Sequence, residues 1–211
     1  MILHGYWRSG TSYRTRIALA LKGITYEQAS VDLRAGGQHS PAFRALNPQG
    51  LVPAIETDDG QVLTQSPAIL EWLEEAYPHP PLLPVSAADR AIVRAMAATV
   101  ACDIHPLNNL RVLQAVRALG ADSEAIDTWT ARWIGAGFAA LEDQIARHGR
   151  GFAYGDAPTL ADCHLVPQVY SAERFRVDLG RFPRLMAAVT HARAHPAFVA
   201  AHPDRQPDAD A

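Results

Sequence analysis

The chain has 211 residues, 48% of them hydrophobic and 19% charged, with a formal net charge of −3. This is ordinary globular composition, long enough for one large or two small domains with a buried core, and it excludes disordered or fibrous chains. No long basic run offers an electrostatic footprint for nucleic acid or an anionic membrane. The apolar run Ile17 to Leu21 is far too short to span a bilayer, and Met1 to Arg8 lack the basic start and apolar stretch of a signal peptide. Cytoplasm is the expected location. The two cysteines, Cys102 and Cys163, lie far apart within helical patterns and read as small buried apolar residues.

Residues 2–6 read as a first strand, followed by a polar turn and a helix to about Lys22, stopped by Gly23. Tyr26 to Leu33 reads as a second strand. Gly36-Gly37 opens a loop, and Pro41 to Leu46 forms a short helix. Leu51 to Glu56 and Gln61 to Thr64 flank the hairpin signal Asp58-Asp59-Gly60. Ser66-Pro67 starts a helix running to Tyr77, with Ser66 as its N-cap. The resulting β-α-β-α-β-β-α order fills residues 1–78. Pro78, Pro80, Pro81 and Pro84 then mark a domain boundary, since none can continue a helix. Beyond it the strand signals vanish. Helices are expected near 87–117, 123–148, 159–174 and 182–194, with capping boxes at Ser86-Ala87-Ala88-Asp89 and Thr159-Leu160-Ala161-Asp162. An all-helical domain thus covers 86–204, and the polar stretch His202 to Ala211 reads as a fraying tail.

Three places carry candidate chemistry. Between the first strand and helix, Ser9, Thr11 and Ser12 set hydroxyls at a helix N-terminus, where free N–H groups favour an anion. Any of the three could donate to a thiolate and so favour its ionised form, although on these residues alone plain N-capping is the favoured reading. Val52-Pro53 enters an interior-looking strand, and a cis bond there would turn the Val52 N–H and C=O toward a peptide-like ligand. Gln65-Ser66 opens a helix able to bind a carboxylate.

The run Arg8-Ser9-x-x-Ser12-x-Arg14-x-Arg16, with Leu46-Asn47-Pro48, Val52-Pro53 and Gln65-Ser66, resembles the zeta class of glutathione transferases, which includes maleylacetoacetate and bacterial maleylpyruvate isomerases. The likeness continues through Cys102 to Asn109 and Thr159 to Asp162, so it covers nearly the whole chain. It implies a glutathione transferase fold: an α/β thioredoxin-like domain followed by an all-α domain. One departure is plain. The class usually reads Ser-Ser-Cys-Ser, whereas here Ser9-Gly10-Thr11-Ser12 excludes a protein cysteine at this position, so that any nucleophile there has to be glutathione, and the variant leans toward the maleylpyruvate branch.

The resemblance implies cis–trans isomerisation of a maleyl diketo acid, with glutathione as a cofactor that is returned rather than consumed. Ser9 is the first choice to activate the thiol, with Thr11 and Ser12 as competitors. Val52, beside Pro53, is expected to pair with the cysteinyl backbone, Gln65 and Ser66 to hold the γ-glutamyl end, and His39 and Gln49 to touch the glycine end. Asp103 would reach the γ-glutamyl amine from the partner subunit of a homodimer. Arg8, Arg111 and Arg174 are the expected clamps for the dicarboxylate substrate, because a guanidinium fork binds a carboxylate at two points. His105 and Asn109 line the substrate pocket or serve as packing residues. Among nine histidines only His191 and His195 share helical spacing, and nothing beside them completes a metal shell, so no metal is expected. The rival activity is permanent conjugation of glutathione to small electrophiles or haloacids; a non-catalytic binding module ranks third.

Overall fold

In the computed structural model, which describes residues 1–209, the chain divides after Pro81, and the segment from His195 onward groups with the first unit. The first unit begins with β1 (Ile2–Gly5), α1 (Gly10–Leu21), β2 (Glu27–Ser30) and α2 (Pro41–Leu46). It continues with β3 (Ala54–Glu56), β4 (Val62–Thr64) and α3 (Ser66–Ala76). The strands form one sheet in the order β2-β1-β3-β4. β1 and β2 run parallel, joined by the α1 crossover, whereas β3 is antiparallel to both β1 and β4. The hairpin closes where Thr57 N–H donates to the Gln61 carbonyl at 2.9 Å, with Gly60 at φ +83°. Leu3, Ile17, Leu19, Ile55, Ile69, Leu70 and Leu73 are all fully buried, each contributing roughly 2 kcal/mol by leaving water. A second cluster gathers Tyr6, Trp7, Val31, Phe43, Val52 and Ala54.

The second unit, Leu82–Ala194, contains α4 (Ala87–Ala98), α5 (Leu110–Ala118), α6 (Ser123–His148), α7 (Leu160–Arg174) and α8 (Pro183–Ala194). α7 is buried at every position from Leu160 to Val169 and forms the unit's spine. The expected single helix over 87–117 is broken. A π-helical turn occupies Thr99–Ile104 and a 3-10 turn His105–Asn108, after which Asn109 caps α5 anew. Pro106 explains the break, because it has no N–H to continue the ladder. Gly137 on α6 lets the π turn approach closely: a Cβ there would meet Ile104 Cδ1 at 2.3 Å. Glu142 of α6 accepts the Arg184 and Leu185 N–H groups at 3.0 and 2.7 Å, so a carboxylate from another helix caps α8. Cys163 is buried as expected, but Cys102 is exposed on the π turn. Among the described residues, no helix is long and apolar enough to cross a membrane.

The C-terminal segment differs most from its sequence reading. It forms α9 (Pro196–Ala201) and a 3-10 turn over Pro203–Arg205, and it docks onto the first unit instead of fraying. Arg16 Nε donates to the Ala201 carbonyl at 3.1 Å, and Gln206 Nε2 closes the following turn on the Ala200 and His202 carbonyls at 3.1 and 2.8 Å. Asp208 accepts the Trp7 N–H at 3.0 Å and Gln28 Nε2 at 2.5 Å. These polar anchors have no hydrophobic period, which is why the pattern reads as a tail. Asp210 and Ala211 lie outside the described residues.

Candidate active site

The end of β1 delivers the chain to the α1 N-terminus, where the cap is Ser9. Its Oγ accepts the Ser12 N–H at 3.3 Å and lies 2.9 Å from Thr11 Oγ1. Thr11 Oγ1 donates in turn to the Val52 carbonyl at 2.9 Å. Because Thr11 directs its hydrogen at Val52, the hydrogen between the two hydroxyls belongs to Ser9. The relay therefore has a direction, from Ser9 through Thr11 to Val52. Ser9 and Thr11 are both half-buried. Ser12 differs: it is fully buried, its Oγ accepts the Tyr6 N–H at 3.3 Å, and a Cβ on Gly5 would crowd it at 3.0 Å. Its hydroxyl ties β1 to α1 away from solvent.

Val52 and Pro53 are joined by a cis peptide bond, directly before β3. The loop leading there is shaped by Asn47, which is buried: Nδ2 donates to the Leu51 carbonyl at 2.7 Å and Oδ1 accepts the Gln49 N–H at 3.1 Å. Gly50, at φ +64°, could not be replaced without moving the backbone, since a Cβ would sit 2.9 Å from the Gln38 carbonyl. That packing sets the loop against the turn holding the exposed His39.

Gln65 Nε2 donates to Gln49 Oε1 at 2.6 Å, joining two exposed side chains. The N-cap of α3 is Gln65 and not Ser66, which occupies the first helical position. Gln65 sits at φ +66° without being glycine, a conformation costing about 1–3 kcal/mol and often retained where backbone is presented to a ligand. Ser66 is buried, and its Oγ accepts Arg14 Nη1 at 3.1 Å. A buried guanidinium thus stands behind the N-terminus of α3 and adds positive charge to the helix dipole.

Arg8 is half-exposed, with its guanidinium 5.2 Å from the Trp7 ring centre. In the second unit, Asp103 is exposed on the π turn and the half-exposed His105 opens the 3-10 turn. Asn109 Oδ1 accepts the Arg111 N–H at 3.2 Å, so that side chain caps α5, while Arg111 itself is exposed in the first turn. Arg174 is exposed at the end of α7, 5.9 Å from the Tyr170 ring centre. The first unit therefore joins Ser9, Thr11 and Val52 in one hydrogen-bonded group and Gln49 with Gln65 in another. Supporting residues carried weaker signals. Arg14, Arg16 and Asn47 stand in the motif without assigned roles, and Asp208 lies in the expected tail.

A family model for the glutathione S-transferase N-terminal domain matches residues 8–76. The chain is 52% identical to the maleylacetoacetate isomerase of Pseudomonas aeruginosa, over 100% of both chains. A solved maleylpyruvate isomerase, described as a bacterial glutathione S-transferase in the zeta class, matches with a TM-score of 0.97 at 52% identity, again over 100% of both chains. The chain belongs to the zeta class of glutathione transferases. A further solved member, maleylacetoacetate isomerase of Methylobacterium extorquens with bound malonate and glutathione, has a TM-score of 0.95 at 40% identity over 100% of both chains. Within this zeta-class chain, Thr11 takes the place where the class usually has cysteine. Its hydroxyl does what a thiol would do only weakly, holding the Val52 carbonyl while orienting Ser9.

Proposed function

We propose that the protein catalyses the glutathione-dependent cis–trans isomerisation of a maleyl diketo acid, maleylpyruvate or maleylacetoacetate, to its fumaryl form in aromatic-compound catabolism. The single observation that carries this reading is the directed Ser9–Thr11–Val52 relay at the N-terminus of α1. The residues suit glutathione along its length: a hydroxyl at a helix N-terminus for the thiol, the Val52 backbone for the cysteinyl unit, and Gln65 with the Arg14-backed Ser66 for the γ-glutamyl carboxylate. His39 and Gln49 serve the glycine end. When bound, glutathione supplies a thiolate whose reversible addition to the cis double bond permits rotation and restores the trans alkene on departure.

The chain's own groups meet the remaining demands. Ser9 turns its hydrogen from Thr11 toward the sulfur and stabilises the anion, aided by the positive end of α1. Thr11 stays on Val52 and keeps the loop in place. Arg8, Arg111 and Arg174 clamp substrate carboxylates, and Arg8, next to Ser9, also faces charge developing on the substrate oxygen. His105 and Asn109 shape the substrate pocket. Asp103 acts on the γ-glutamyl amine from the partner subunit of a homodimer, and the enzyme works in the cytoplasm.

The test is loss of the maleyl diketo-acid absorbance with each substrate, with and without glutathione. Turnover that requires glutathione but does not consume it supports the proposal, and the ratio of kcat/KM values assigns the substrate. No turnover of either substrate, with glutathione consumed on a generic electrophile, would leave a conjugating transferase.

A further inference from the structure

Trp7 is the residue through which β1 hands the chain to Arg8 and Ser9. Both of its backbone groups are held by side chains. Its N–H donates to Asp208 Oδ2 at 3.0 Å, and its carbonyl accepts Arg16 Nη2 at 2.8 Å. Each of these side chains also belongs to the C-terminal segment's docking. Arg16 Nε reaches the Ala201 carbonyl at 3.1 Å, and Asp208 is itself part of the segment, with its second oxygen on Gln28 Nε2 of β2 at 2.5 Å. Ala209 packs against the cluster of Tyr6, Trp7, Val31, Phe43, Val52 and Ala54. Only 7% of Trp7 is exposed, so without Asp208 its N–H would face a poor supply of alternative acceptors.

We propose that Asp208 is a positioning residue for the active-site turn: its carboxylate holds the Trp7 peptide and thereby fixes where Arg8 and Ser9 stand. The inference rests on the proposed role of Ser9 toward the glutathione thiol. Asp208 touches neither cofactor nor substrate. It acts through two covalently linked residues, and this makes the C-terminal segment part of the catalytic apparatus. A displacement of about 1 Å at a reacting group can cost on the order of a hundredfold in rate. A turn that is loosened while its other anchor, Arg16, remains in place is expected to cost less, about tenfold.

The test compares wild type with Asp208→Ala, Asp208→Asn and Gln28→Leu. Amide hydrogen exchange of residues 6–12 is measured on the protein without glutathione. The ultraviolet thiolate absorbance of bound glutathione is titrated against pH, and kcat and KM are determined separately. Asp208→Ala is expected to speed exchange in residues 6–12 by about tenfold, raise the pH at which bound glutathione ionises, and lower kcat about tenfold with KM little changed. Asp208→Asn keeps an oxygen for the Trp7 N–H and should restore most of the rate, and Gln28→Leu should have the smallest effect. Unchanged exchange and an unchanged thiol titration in Asp208→Ala would overturn the proposal. So would equal losses in Asp208→Ala and Asp208→Asn that follow melting temperature alone. Should wild type itself fail to ionise bound glutathione, the Ser9 reading falls, while the exchange data still decide whether Asp208 holds the turn.

Discussion

Two helix N-termini in this molecule use the same local chemistry for opposite ends. At α7, Thr159 and Asp162 form a reciprocal capping box: Asp162 Oδ2 accepts the Thr159 N–H at 2.8 Å and the Thr159 hydroxyl at 2.9 Å, while Oδ1 accepts the Ala153 N–H at 2.7 Å. Asp162 is 1% exposed, and its donors and acceptors are matched within the fold. At α1, Ser9 caps the helix equally well, but it is half-buried and its hydrogen lies on another hydroxyl that can release it. A helix N-terminus is a structural joint when its polar groups are sealed against one another. It becomes a site when one hydroxyl stays accessible and can exchange partners.

The largest expected effect lies on the sealed side. Asp162→Ala leaves two backbone N–H groups without their buried acceptor and should cost about 3–5 kcal/mol in denaturant unfolding. A loss under 1 kcal/mol would mean that the joint is no joint.

The same carboxyl should also make stability depend on pH. Burial raises its pKa to about 6 despite hydrogen bonds from Ala153 and Thr159 that favour its ionised form. The folded chain therefore binds this proton more readily than the unfolded chain, whose carboxyl titrates near 3.8. Its contribution is fully present below pH ~4 and is lost as pH rises through about 6, by on the order of 2–3 kcal/mol. Asp162→Asn should flatten that part of the pH–stability curve; an unchanged slope would place its origin elsewhere.

On the open side the effect moves from stability to rate. Ser9→Ala should lower kcat/KM by about a hundredfold while costing only about 1 kcal/mol of stability, the usual loss of a cap. The reverse pattern, large unfolding cost and little kinetic change, would make α1 a second α7. Thr11→Val keeps the shape but removes the hydroxyl that orients Ser9 and holds Val52. A smaller fall in kcat/KM, about five- to tenfold, is expected, and a fall equal to that of Ser9→Ala would show that the two hydroxyls act as one unit.

Sequence reading reached these places unevenly, for physical reasons. The hairpin at Asp58-Asp59-Gly60 and the box at Thr159–Asp162 are local devices written in adjacent residues, and both are found where expected. The hydroxyls at 9, 11 and 12 lie within one turn, so sequence makes Ser9 only a first choice among close competitors; burial and partners separate Ser12, buried with its Oγ on the Tyr6 N–H, from Ser9 and Thr11. The N-cap of α3 falls on Gln65, which sits there at positive φ, against the preference for serine. Pro106 marks the break after Ile104 locally, but the close approach of the π turn at Thr99–Ile104 to Gly137, more than thirty residues away, is written in no local pattern. Asp208 depends on Trp7, far away at the other end of the chain, and a polar segment without periodicity carries no sign of such a partner.

Glutathione is expected to be returned at each turnover. The most direct measurement is the amount of fumaryl product formed per glutathione consumed, with substrate in large excess over glutathione. Many equivalents of product with the free thiol fully recovered are predicted. One glutathione lost per substrate converted, with a stable thioether as product, would contradict the account.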